Sequence, residues 1–431
     1  MTTVKIGLVA PCGSDVEERN PAASMYFRDM LSEMGRMDTL QGRPFELHWV
    51  CEKSNSGSVP GVPSSIIMEP TWTTRDFLFS IPRRLQRLRP AIIQIHHEPF
   101  MLSHTIIHSF AFLAMLVTVK LLNRKSHLIL TLATVYEGRL PKEISRQSPL
   151  PRFVTDLGFK TLLRMLPHIT DAIMVAKAEQ RDILVRHYGA RKDSVYVVLS
   201  YTIDRPVSMD RTEARRRLGL SEKSYVILNF GCLSYYKGLE RLLPAFYEKL
   251  RLDRDAVLLL AGGAHPRLLS NRRYAKFISQ LKQYAAEHDT PWMHSVFTGF
   301  VPNEKVPLYF AAADIVVAPY TCHISSSAVL FDAISYEKPT IMTRAILEHD
   351  LLNNDKIMLD SADPNLIAAK IGELLTDTDA REKNLDIVRR VKNDRLIHKT
   401  ATQMVAMFET EMKKLGRNQE TGLLDRSSDT L

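Results

Sequence analysis

Three serines, Ser325, Ser326 and Ser327, run straight into an apolar helical pattern, with Cys322 and His323 just ahead of them. The strand-like run ADIVVAPY at 313–320 feeds this stretch. A helix N-terminus presents unpaired N–H groups and a partial positive charge, so it is a ready anion site. Small residues there let a ligand approach the backbone, and the hydroxyls add donors. A phosphate or diphosphate is the natural occupant. The plain alternative is a serine that only caps the helix. Upstream, GCLSYYKG at 231–238 ends a strand in Gly231 and places Lys237 at the start of the next helix. Lysine binds phosphate as a point charge, and beside the serine helix it reaches one anion from a second side. HHEP at 96–99 offers His97 and Glu98 as polar contacts or a base. Adjacent strand residues point to opposite faces, so chelation by His96 and His97 together is awkward, and no metal site is expected.

Such loops need a frame. From VKIGLVAP onward, short apolar runs (FELHWVCE, AIIQIHH, HLILTLAT, DAIMVA, SVYVVLS) alternate with helical patterns, the longest of them strongly apolar. That alternation indicates a parallel sheet wrapped on both faces. Periodicity lapses around a proline in YTIDRPVSMD, 201–210, and then restarts with YVILNFG, AVLLLAGG, HSVFTGFV, ADIVVAPY and PTIMTR. The expected fold class is α/β: two Rossmann-like doubly wound domains, residues 1–205 and 206–395, facing each other across a cleft. Ligands of such sheets sit at the carboxyl ends of the strands. A long helical pattern covers 379–415; its last part, 396–416, is expected to cross back to the first domain. The polar tail, 417–431, is expected to be disordered.

A chain of 431 residues exceeds one ordinary core. The four cysteines form no CxxC pair and no metal-ligand spacing, which suits reduced thiols in a cytoplasmic protein. The net charge of +9 is uneven: residues 1–200 hold 25 Lys and Arg against 18 Asp and Glu, the rest 32 against 30. Basic clusters such as RRLQRLR at 83–89 lack the interleaved aromatics of a nucleic-acid stripe, so nucleic acid is not an expected partner. An anionic membrane surface or an acidic acceptor fits the first half better; ordinary solvated helix faces are the alternative. MTTVKIGLVAP leads directly into a strand, so no signal peptide is expected. Thr105–Leu122 barely reaches membrane-spanning length and carries His108, Ser109 and Lys120; it reads as a buried helix.

The runs VILNFGCLSYYKGLERLLPAF, VLLLAGG, VFTGFVPNEKVPLYFAAADIVVAPY and SSSAVLFDAISYEKPTIMT resemble, in order and spacing, the retaining glycosyltransferases of family 4, which have the two-domain GT-B fold. RPAIIQIHHEP and DAIMVAKAEQRDILVRHYGARKDSVYVV resemble the first half of that family more loosely, and the likeness extends to about residue 412. The resemblance implies a nucleoside diphosphate sugar held by the second domain and a glycan or lipid-linked acceptor held by the first. It implies no further cofactor. It assigns Lys237 to the diphosphate, and Asp332, the second acid of a paired-glutamate motif, to the donor ribose. Gly299, Phe300 and Val301 would line the nucleobase, and Gly13 would approach the sugar phosphate. The departures are Cys232 for an arginine, Ile324 for a glutamate facing the sugar, and Ala133 for a histidine. His323 could supply the missing contact to the sugar. An enzyme of cell-surface polysaccharide or glycoconjugate synthesis, peripheral on the inner face of the membrane, is the expectation. The rival is an inactive nucleotide-sugar-binding or regulatory protein. A nucleotide-sugar epimerase of the same shape would need more cleft acids and histidines than the second half contains.

Overall fold

The structure is a computed structural model that describes residues 4–11, 21–37, 45–53, 62–73, 75–97, 106–138, 141–142, 152–204, 209–264, 268, 271–324, 327–345 and 354–428, without the side chains of 21–25, 106–109 and 417–428. The chain forms two compact units, one of Met1–Leu140, Ser148–Ser200 and Ile397–Leu431, the other of Pro141–Gln147 and Tyr201–Leu396.

In the first unit, strands β1 (Val4–Val9), β2 (Phe45–Glu52), β3 (Ile66–Trp72), β4 (Ile92–His97), β5 (His127–Leu132), β6 (Ala172–Val175) and β7 (Val195–Val197) pair in parallel in the order β3-β2-β1-β4-β5-β6-β7. Every residue of β4, β5 and β6 is buried, as both-face coverage requires. The helices are α1 (Pro21–Arg36), α2 (Phe77–Leu88), α3 (Ile106–Leu122), α4 (Arg152–Ile169) and α5 (Ala178–Tyr188). Right-handed crossovers put the links that run toward β7, α2 to α5, on one face and α1 on the other. Strand β3 has no counterpart in the sequence reading, because Glu69 and Pro70 interrupt its apolar run. It is an edge strand, where a proline is tolerated, and its pairing with β2 shifts register at Cys51/Glu52.

The second unit repeats the plan. Strands β8 (Tyr225–Phe230), β9 (Ala256–Ala261), β10 (Met293–Phe297), β11 (Ile315–Ala318), β12 (Thr340–Thr343) and β13 (Met358–Leu359) lie in parallel in the order β10-β9-β8-β11-β12-β13. The helices around them are α6 (Arg211–Arg217), α7 (Leu239–Pro244), α8 (Arg272–His288), α9 (Val306–Ala312), α10 (Ala328–Ser335), α11 (Pro364–Thr376) and α12 (Thr378–Asp394). Asp210, Asn271 and Asp363 start three of these helices by accepting backbone N–H groups of the first turn.

The last helix, α13 (Ile397–Ser428), belongs to the first unit and packs against α1 and the β4–β5 side of the sheet. The pattern at 379–415 is thus two helices, broken where Thr202 N donates to Arg395 O at 2.7 Å and Thr202 Oγ1 to Lys392 O at 2.7 Å. The backbone of α13 runs on to Ser428, through the stretch expected to be disordered. Once a helix is nucleated, each further residue adds a hydrogen bond at little cost, so a polar stretch such as RNQE extends it.

Candidate functional site

In the second unit the strand order reverses between β8 and β11. A ligand of a doubly wound sheet binds at the carboxyl ends of the strands flanking that reversal. Three strand exits meet there. The β8 exit turns at Gly231, whose φ of 93° suits glycine, and a Cβ there would lie 2.5 Å from Lys237 Nζ and 3.2 Å from Val329 Cγ2. The ammonium of Lys237 therefore sits beside the first turn of α10. Gly238, at φ 68°, ends the lysine turn against the β11 exit: a Cβ would fall 2.0 Å from Pro319 O. Thr321 N donates to Tyr236 O at 2.9 Å, and the Tyr236 and Tyr320 rings stack at 5.9 Å. The β9 exit closes from the other side, with Leu233 N donating to Gly263 O at 2.9 Å.

Lys237 is 7% exposed and donates to Phe230 O at 2.8 Å. Burial pushes its ammonium down to about 8, against a smaller upward pull from Cys232. A cation held this way, at a strand exit and short of counter-charge, favours an anionic ligand. Ser234 Oγ, in the same turn, is buried with no hydrogen-bond partner among the described residues. The sequence reading passed over it; its position inside GCLSYYKG was the available signal.

The serines divide. Ser325 and Ser326 lie outside the described residues. Ser327 is the N-cap of α10: its Oγ accepts from Leu330 N at 3.2 Å and lies 2.8 Å from the Tyr320 hydroxyl. The Ser327 hydroxyl is therefore engaged in capping. Asp332 is half-buried on α10, and His323 is exposed on the loop before it. Ile324 is buried in the apolar cluster around Tyr320, Leu330 and Ile334. Gly299 has φ 73° with open space where a Cβ would stand, Phe300 is exposed, and Val301 is buried.

In the first unit, Gly13 and Glu98 lie outside the described residues. His96 and His97 point to opposite faces of the sheet. His96 meets Phe27 on α1, with centroids 4.7 Å apart, and His97 stacks on Phe112 on α3 at 4.1 Å. Burial lowers His96 to about 3 and His97 to about 4, so both rings are neutral. Neither nitrogen of His97 has a hydrogen-bond partner among the described residues. No group of three or more His, Cys, Asp or Glu that could hold a metal ion occurs among them.

Residues 210–392 match the family Glycosyl transferases group 1. This segment is similar to glycosyltransferase group 1 domains. It contains Gly231, Lys237, the strand exits and α10. A D-inositol 3-phosphate glycosyltransferase of Corynebacterium diphtheriae is 27% identical over 225 residues, covering 49% of this chain and 50% of that protein. The chain thus spans about half the length of the curated relatives it matches. Sucrose-phosphate synthase from Thermosynechococcus elongatus aligns over 95% of this chain and 100% of its own, at 14% identity and TM-score 0.67. Anabaena Alr3699/HepE in complex with UDP-glucose aligns over 94% of this chain and 99% of its own, at 14% identity and TM-score 0.63. At these identities the likeness establishes the fold alone, which is GT-B. Among the described residues no helix is long and apolar enough to cross a membrane.

Proposed function

We propose that the chain is a retaining glycosyltransferase that moves a sugar from a nucleoside diphosphate sugar to a glycan or lipid-linked acceptor, in cell-surface polysaccharide or glycoconjugate synthesis, on the cytoplasmic face of a membrane. The observation that carries this reading is the buried ammonium of Lys237 against the first turn of α10, inside the segment similar to glycosyltransferase group 1 domains. As the sugar bond breaks, the departing diphosphate gains charge. In this reading the buried lysine and the N–H groups that open α10 stabilise that charge. The first unit supplies acceptor contacts. There His97, neutral and apolar on one side, serves as a hydrogen-bond partner rather than a proton carrier. Asp332 and the 299–301 segment hold the nucleoside.

The second reading is a protein that binds a nucleotide sugar without turnover. It is favoured by Ile324, which puts a buried aliphatic side chain where the resembled family has a glutamate. A thermal-shift screen of UDP, GDP and ADP and their sugars tests both. A ligand of the folded state at 100 times its dissociation constant adds about 2.7 kcal/mol. We expect one diphosphate series to raise the melting temperature and to support transfer. Lys237→Ala should weaken binding about ten- to a hundredfold, the loss of a charged hydrogen bond. No response to any nucleotide would overturn both readings. Binding without transfer or hydrolysis across a broad acceptor panel would leave the second.

A further inference from the structure

Of the thirteen large apolar side chains that stand most exposed among the described residues, eight lie on α3 and α4 of the first unit. Their spacing is helical. On α3, Phe110, Val117 and Leu121 follow one another on a single face, with Ala114 between them, also exposed. The opposite face buries Phe112, Leu113, Leu116 and Val119 against the sheet. An ordinary surface helix has one apolar face; this one has two. Phe110 and Leu121 are 54% and 56% exposed, and the stripe between them is about 16 Å long. Helix α4 packs beside α3 and adds Phe153 and Leu157, 75% and 53% exposed. Phe79 on α2, which packs on the other side of α3, is 62% exposed.

The charge on these helices is mostly basic. Helices α2, α3 and α4 carry seven Lys and Arg and one acid, Asp156, which is buried. Arg83 and Arg87 are exposed on the outer side of α2, and Arg124 and Lys125 follow the end of the α3 stripe. None of these four has an ion-pair partner among the described residues. Arg84, Lys120 and Arg152 are taken by Glu69, Asp171 and Asp156.

We infer that the outer face of α2, α3 and α4 docks on an anionic lipid bilayer, with the α3 stripe lying flat in the headgroup–acyl boundary and the arginines and lysines against lipid phosphates. A helix set this way buries its apolar face by about 5–10 Å, and each basic residue near the surface adds a salt-dependent attraction. The alternative cover, a second copy of the chain, would bring two basic faces together across an apolar seam, which the like charges oppose.

The inference deepens the membrane element of the proposed function, yet its test does not depend on sugar transfer. Full-length chain is mixed with vesicles of phosphatidylcholine, alone or with phosphatidylglycerol, and floated on a gradient. The wild type should float with the phosphatidylglycerol vesicles and less so at high salt. Phe110→Glu with Leu121→Glu should cut the bound fraction about tenfold or more. Arg124→Glu with Lys125→Glu should remove the preference for phosphatidylglycerol. All four positions face solvent, so the melting temperature and any nucleotide response should be unchanged, which separates loss of docking from loss of folding. Equal flotation of wild type and variants would overturn the proposal. So would failure of the wild type to float, whether or not light scattering shows a dimer that Leu121→Glu dissolves. Flotation with no nucleotide response would sink both readings of the proposed function and leave this inference; a nucleotide response without flotation would sink only this one.

Discussion

At the scale of single residues, the proposed diphosphate site turns on Lys237. Its ammonium is charged below about pH 8 and neutral above, because burial disfavours the charge. A diphosphate needs the charged form, so binding should raise that pKa and take up a proton. Nucleoside diphosphate affinity should therefore hold steady below about pH 8 and fall as pH rises beyond it. Calorimetry at several pH values in buffers of different ionisation enthalpy would show the slope and the proton. In Lys237→Met, which keeps the apolar stem, both should vanish. A slope that survives the substitution would place the titrating group elsewhere. Lys237 stood out in the sequence because it follows a strand glycine, has the serine helix beside it, and matches the diphosphate-binding lysine of the resembled family. Ser327 was legible only as one of three serines; its place as the N-cap, with the Tyr320 hydroxyl beside it, is announced by no local pattern.

At the scale of elements, two contacts do most of the positioning. The lysine turn is pressed on the β11 exit through Gly238, where a methyl group would meet the Pro319 carbonyl. Gly238→Ala combines a left-handed backbone with an overlap that only backbone movement relieves. It should cost about 2–4 kcal/mol and weaken nucleotide binding at the same time, seen in paired denaturation and binding curves. In the first unit, α13 is held through Glu411. Its buried carboxylate accepts from Lys414 Nζ at 2.8 Å and Tyr196 OH at 2.5 Å, and lies 2.8 Å from His127 Nδ1. Although burial alone would raise it, these partners bring it down to about 2. The stability it confers is present above its unfolded value near 4.5 and is lost as pH falls toward 2. Glu411→Gln should remove about 3 kcal/mol at neutral pH, and the deficit should shrink on acidification below about pH 4.5. Chemical denaturation across that range would read it. The alternation of helix and strand was plain from apolar runs. The edge strand β3 was not, because Glu69 and Pro70 break its pattern and only pairing with β2 explains them.

At the scale of the molecule, repetition made the architecture readable. Two successive series of apolar strands, each restarting after a lapse in periodicity, imply two sheets, and right-handed crossovers leave few strand orders to choose from. What no periodicity could reveal is surface chemistry. The segment containing α3 read as a buried helix because its composition is apolar all round, and composition does not say which face meets the sheet. The same silence covers the donor sugar, since specificity rests on loop contacts that differ without altering the strands.

Helix α13 has a consequence for how the protein is made. The strands of the first unit leave the ribosome early, but the helix that covers their α1 side is translated only after the entire second unit. Until then His127 and Tyr196 lack the carboxylate they share, and apolar surface meant for Met404 and Phe408 faces water. A chain that stops between β7 and residue 397 thus carries an uncovered core, a ready mark for chaperones and proteases that α13 conceals.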